Sequence, residues 1–97
     1  MSIVAFEYEV LGSCGNDYEA PHAVANDLAR DLKRPVTEAE VRAAFVSLAA
    51  KGLVQAYTYE ASGGGYVPIS SREAAQNEAA WFMMNAEGRK FYGNEAS

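Results

Sequence analysis

Residues 36–54, VTEAEVRAAFVSLAAKGLV, decide the fold, because the chemistry of both ends of a helix is written in them. Thr37 and Glu40 stand at the S/T-x-x-E spacing of a capping box, in which each side chain satisfies an orphan amide of the first turn. Val36 and Val41 flank that box as a hydrophobic staple. At the other end Gly52 follows Lys51 as a left-handed residue past the helix, and Leu53 is placed to touch Leu48 in a Schellman end. The spacing therefore predicts a helix over Thr37–Lys51.

Upstream, Pro21–Lys33 reads as a second helix: Pro21 suits a first-turn position and Val24, Leu28 and Leu32 recur every fourth residue. Arg34 precedes Pro35 and is pushed out of the helical region, so the two helices are joined by a short turn. The opening run Ile3–Leu11 fits two periods. Val4, Phe6, Tyr8 and Val10 alternate as in a strand, while Ile3, Phe6 and Val10 also make a helical stripe. Downstream, Leu53–Glu60 carries strand formers, Ser62–Gly65 breaks the run, and Tyr66–Ile69 is expected to return as a second strand. Ser70 and Glu73 repeat the capping-box spacing and predict a short helix through Glu78. The apolar Trp81–Met84 reads as a strand buried in the core, and Asn85 as the cap of a short helix Ala86–Tyr92.

Composition sets limits on function. The chain has 97 residues, enough for one domain that buries about 60–65% of its unfolded surface. Its 18 Ala inflate the apolar fraction of 49%; Leu, Ile, Val and Phe number only 19, and 11% aromatics offset a thin core. The net charge of −5 has the wrong sign for general attraction to phosphate backbones or anionic lipid. The lone Cys14 forms no internal disulfide and belongs to no zinc-ligand spacing. Neither a basic leader nor a membrane-length apolar run is present, which sets the expectation of a cytoplasmic protein.

The order of elements resembles the winged-helix fold, and in particular the PadR- and MarR-like bacterial regulators. The residues that carry the likeness are Val10-Leu11-Gly12, the two helices, Val41-x3-Phe45-x2-Leu48-x3-Gly52-Leu53-Val54, and Phe82-x-Met84-Asn85-Ala86-Glu87-Gly88-Arg89. In that family a helix ends in Gly-Leu-Val and a later strand runs into a Thr-x-x-Gly-Arg-type turn. The resemblance implies an α+β fold: a three-helix core that includes Leu11, a small antiparallel sheet and a short C-terminal helix. Asn85 stands where Thr is usual, and the span between the motifs is long. We therefore expect one winged-helix domain over 1–97 with an extended wing or insertion at about 61–80.

The resemblance makes the third helix the one that enters the major groove. Its outer face is expected to hold Ala39, Ala43, Val46, Ser47 and Ala50, none of them a bidentate base reader or a phosphate anchor. Such a face suits a protein partner or a second copy, and association there is the leading expectation for function. The alternative is a DNA-binding regulator using Arg30, Lys33, Arg34, Arg42 and Lys51 on phosphates, opposed by the acidic balance and by Glu38 and Glu40 at the helix start. Those two carboxylates also serve the helix dipole. A small-molecule sensor built on Trp81–Met84 is a remote third reading.

His22 lies near Asp17, Glu19 and Cys14 but fits no ligand motif and reads as an ordinary surface histidine. Gly63–Gly65 lacks the context of a phosphate loop and reads as a flexible wing tip. With no nucleophile–base pair and no close acidic pair, no catalysis and no cofactor are expected.

Overall fold

The computed structural model describes residues 3–14 and 17–96, with side chains described through Gly93. The chain runs α1 (Ala5–Ser13), α2 (Pro21–Leu32), α3 (Glu38–Ala50), β1 (Val54–Glu60), β2 (Gly65–Ile69), α4 (Ser71–Ala75), β3 (Trp81–Met84) and α5 (Ala86–Ala96).

The run with two possible periods is a helix. In α1, Glu7, Val10 and Leu11 are buried, and Cys14 beyond them continues the stripe at helical spacing. The Val4 N–H donates to the Glu7 carboxylate at 3.1 Å, which helps start the helix where Val4 has no capping side chain.

Both ends of α3 are built as their residues dictate. The Glu40 N–H donates to Thr37 Oγ1 at 3.1 Å, and the Thr37 N–H donates to Glu40 Oε1 at 3.2 Å. At the C-terminal end Gly52 takes a φ of 80°, while its N–H donates to the Ala49 carbonyl and that of Leu53 to the Leu48 carbonyl, both at 3.0 Å. These two bonds are the Schellman pair. Helix α2 stops differently, with Lys33 itself in the left-handed region at φ 55°.

The sheet is antiparallel with strand order β2-β1-β3. A single bridge adds Glu19 to the outer edge of β3, its N–H donating to the Phe82 carbonyl at 2.7 Å and its carbonyl accepting from the Phe82 N–H at 2.9 Å. Helices α1, α2 and α3 and one face of the sheet enclose the core, in which Phe45 and Phe82 stack at 4.5 Å with Val10, Leu11, Val24, Val41 and Leu48 around them.

Several boundaries differ from the sequence reading. The second strand begins at Gly65, with φ 62°, because glycine accepts the sharp return from the tip. The short helix ends at Ala75 and not Glu78, and the last helix runs to Ala96 and not Tyr92. Of the apolar Trp81–Met84, only Phe82 and Met84 are buried; period-2 alternation sends Trp81 and Met83 to the other face.

The two motifs that carry the resemblance touch. Asn85 Nδ2 donates to the Gly52 carbonyl at 2.9 Å, the Asn85 N–H donates to the Leu53 carbonyl at 3.3 Å, and Asn85 Oδ1 accepts from the Gly88 N–H at 2.8 Å. Asn85 thus caps α5 and ties it to the end of α3. Gly88 lies so close to the Leu53 carbonyl that a side chain there would overlap it.

Candidate nucleic-acid interface

Helix α3 buries Val41, Ala44, Phe45 and Leu48, which leaves Ala39, Ala43 and Ala50 exposed. Two residues expected on that outer face are placed otherwise. Val46 is half-buried and packed against the core. Ser47 turns toward α1, where it hydrogen-bonds the Glu7 carboxylate.

Helix α4 explains part of this. Its Ser70–Glu73 capping box closes as the spacing predicts, and Ala74 is fully buried as α4 packs against α3 and β1. Ala75 and α3 residues Ala39, Arg42, Ala43 and Val46 then line an open groove between the two helices. The chain supplies some of the cover itself.

The cations divide by position. Arg30 in the last turn of α2 and Lys33 and Arg34 in the turn that follows stand within about one helical turn of chain, ahead of α3. Arg30 lies 3.3 Å from Asp27 and 3.8 Å from Asp31, with all three side chains more than half exposed. Arg34 donates to the Pro35 carbonyl at 2.9 Å, lies 3.7 Å from Glu40 and rests 5.4 Å from the centre of the Phe6 ring. Lys33 is exposed and makes no ion pair among the described residues.

Arg42 stands apart in the α3–α4 groove, 3.9 Å from Glu78, whose side chain is 92% exposed. Lys51 is at the far end of α3, about 20 Å of helix from Thr37, and does not join the others. Its Nζ donates to the buried Glu7 carboxylate at 2.8 Å. Burial pushes the Glu7 carboxyl up, but hydrogen bonds from Lys51, Ser47 and the Val4 amide and the charge of Lys51 outweigh it, so its pKa is net lowered. Lys51 is thus spent on joining α3 to α1.

The acidic groups near the start of α3 are structural in part. The Thr37 amide and hydroxyl hold the Glu40 carboxyl below its ordinary range, with Arg34 adding to the effect, so Glu40 stays ionised as a cap. Sequence spacing could not show that Arg42 faces Glu78 or that Lys51 faces Glu7, since both partners come from distant segments.

The remaining candidates for chemistry are quiet. Cys14 is buried, its thiol pushed up to about 12 by burial and by the Glu19 charge. His22 is exposed in the first turn of α2. No three His, Cys, Asp or Glu side chains gather as a metal site among the described residues, and none of their helices is long and apolar enough to cross a membrane.

No protein-family model and no curated protein matches the chain. Among solved structures it is similar to an X-ray structure described as a PadR-like transcription factor from bacteroid fragilis, with a TM-score of 0.63 and 12% identity, over 94% of this chain and 76% of that one. At that identity the likeness carries the fold, and with the helix order, the Gly52-Leu53 and Asn85–Gly88 contact and the three-stranded sheet it gives one conclusion: this chain is an α+β winged helix.

Proposed function

We propose that this winged helix is a non-catalytic transcriptional regulator that binds duplex DNA, with the first half of α3 facing the major groove. The observation that carries the reading is the placement of Arg30, Lys33 and Arg34 at the end of α2 and in the turn leading into α3, where the ion pairs of Arg30 and Arg34 are exposed and Lys33 makes none among the described residues. Such pairs are worth about 0–1 kcal/mol each, so phosphate oxygens compete with them successfully. Arg42 adds a fourth contact once Glu78 releases it; Lys51, committed to Glu7, adds none. The solved structure of similar fold is named a transcription factor, which supports the same reading.

The outer face of α3 limits what such a regulator reads. Exposed Ala39 and Ala43 offer contacts to thymine methyl groups but no hydrogen bonds to base edges. Binding is therefore mostly electrostatic, with modest sequence preference. Association with a protein through Ala39, Ala43, Val46, Ser47 and Ala50 is the weaker reading, because α4 packs beside this face, Val46 is half-buried in the groove between the two helices and Ser47 turns to the Glu7 carboxylate of α1.

Fluorescence anisotropy with a labelled duplex over a salt series tests the proposal. Three to four phosphate contacts give a slope of log K against log salt of about −3. Lys33→Gly relieves the left-handed strain at that position and removes one charge, so it should lower the slope by about one with the fold intact. Absence of salt-sensitive retention on duplex DNA at low ionic strength overturns the reading.

A further inference from the structure

The helices cover one face of the sheet and leave the other open. Along β1, Val54 and Ala56 are buried, while Gln55, Tyr57 and Tyr59 alternate to the opposite side. The register sets Tyr57 across from Trp81 and Tyr59 across from Tyr66, so rings from all three strands share the outer face. Tyr18 reaches over them from the connection between α1 and α2. Its neighbour Glu19 is pinned to Phe82 by two backbone hydrogen bonds of 2.7 and 2.9 Å, which fixes where the ring lands. The Tyr18 ring lies on Tyr66 with centroids 3.7 Å apart and planes 7° from parallel, and it meets Tyr57 edge-on at 4.8 Å.

Tyrosine and tryptophan are the rings that give up single electrons most easily, and here they are within reach of solvent. Tyr59 is 56% exposed, and Tyr18, Tyr57, Tyr66 and Trp81 are all partly exposed. Tyr66 is the hub of the layer, 5.1 Å from Tyr59 and 5.5 Å from Trp81 as well as beneath Tyr18. Electrons pass readily between rings so close together. A hole on Trp81 moves on to a tyrosine, because loss of the phenolic proton makes the tyrosyl radical the more stable product. Oxidation anywhere in the layer therefore collects on its tyrosines. Tyr18 and Tyr66 are the closest and most nearly parallel tyrosine pair among the described residues; the other stacked pair, Tyr8 and Tyr92, is looser at 4.9 Å and 24°. The tight stack brings the Cε carbons of the two rings, where phenoxyl spin density is high, near one another before any radical forms. A partner held in contact acts at an effective concentration far above that of a second chain in solution.

We propose that Tyr18 and Tyr66 form an oxidative cross-linking site, at which a one-electron oxidant joins the two rings as dityrosine and staples the α1–α2 connection to β2. Each ring gives up one electron and its phenolic proton, and the two phenoxyl radicals bond through one Cε of each. The hydrogen on each joined carbon then moves to the phenol oxygen as the rings regain aromaticity. Two C–H bonds are thus replaced by one C–C bond. The two electrons and two protons that leave convert one hydrogen peroxide into two waters when a haem peroxidase is the oxidant. Neither ring is buried, so both can turn from the stack into the biaryl arrangement. The new bond closes a loop between residues 18 and 66 and restricts the unfolded chain as a disulfide does. The site lies on the sheet face that the helices leave open, so it stands or falls independently of DNA binding.

The test treats the folded protein with hydrogen peroxide and a haem peroxidase and maps the product by mass spectrometry. Cleavage after Lys and Arg places Tyr8 and Tyr18 in residues 1–30, Tyr57, Tyr59 and Tyr66 in 52–72, and Tyr92 in 91–97, which separates the two stacked pairs. The expected result is dityrosine emission from the monomeric chain, at a yield independent of protein concentration, with 1–30 joined to 52–72 as the main species. Tyr18→Phe and Tyr66→Phe keep the stacked ring, and with it the fold, but have no phenol to oxidise. Each should lower that species by about tenfold or more, while Tyr8→Phe leaves it unchanged. The proposal is overturned if no dityrosine forms, if it forms only in covalent dimers, or if 1–30 is joined mainly to 91–97. A 1–30 to 52–72 cross-link that survives Tyr66→Phe, or that is lost in Tyr8→Phe, overturns it equally.

Discussion

Gly88→Ala sets helix propensity against packing. Within α5, alanine is favoured over glycine by about 0.8–1.0 kcal/mol when nothing else intervenes. At this position a β-carbon would overlap the Leu53 carbonyl oxygen and come within 2.7 Å of Met84 Cγ and 3.1 Å of the Leu53 carbonyl carbon. The obstacle is mainly backbone at the end of α3, so relief requires α5 to move away. Overpacking of that kind costs about 1–3 kcal/mol. The displacement also breaks the two hydrogen bonds from Asn85 to Gly52 and Leu53, worth about 1 kcal/mol each. The net is a loss of about 2–4 kcal/mol, a large share of the stability of a small domain. With a urea dependence of about 2 kcal/mol per molar, the midpoint followed by Trp81 emission should fall by about 1–2 M. Glu87→Ala, next door and exposed, should stay within about 0.5 kcal/mol of the parent. A midpoint for Gly88→Ala equal to or above the parent's would refute the reasoning.

Glu7→Gln removes a charged partner of Lys51 and Ser47 and should cost about 1.5–3 kcal/mol at neutral pH in chemical denaturation. Because the folded carboxyl is held below its ordinary value near 4.5, the pair stabilises fully above that value and its contribution is lost as pH falls through the depressed one. The variant's acid limb should therefore be flatter than the parent's; identical limbs would assign the acid loss elsewhere. Glu78→Gln frees Arg42 and should tighten duplex binding by up to a few-fold with unchanged thermal stability, since the pair is an exposed one; weaker binding would show that Glu78 positions Arg42. With its thiol pushed up to about 12, Cys14 should resist a thiol reagent at pH 8 in the folded protein and react promptly in denaturant. Fast labelling of the native chain would contradict its burial.

The candidate site was legible only in part. Arg30, Lys33 and Arg34 could be grouped from sequence because a short turn keeps them together. Lys51 looked equivalent to them, yet its partner Glu7 is 44 positions away and only the packing of α1 against α3 reveals it. The aromatic face left a trace in the alternation of Tyr57 and Tyr59, but the reading of Trp81–Met84 as one core strand hid its continuation. Alternation shows that a strand has two faces and does not show that one of them lacks cover.

What the sequence by itself determined are the features settled within a turn or two of chain: the capping box and Schellman end of α3, the break before Pro35, and the cap at Asn85. Side chain and backbone partners there lie three to five positions apart, so spacing is already geometry. The tertiary structure alone decided that Ser47 turns toward α1, that α4 lies beside α3, that Gly88 rests on the Leu53 carbonyl, and that Tyr18, tyrosines of two strands and Trp81 of the third meet on one surface. These depend on contacts between segments tens of residues apart, where the faces that meet follow from how the whole core closes.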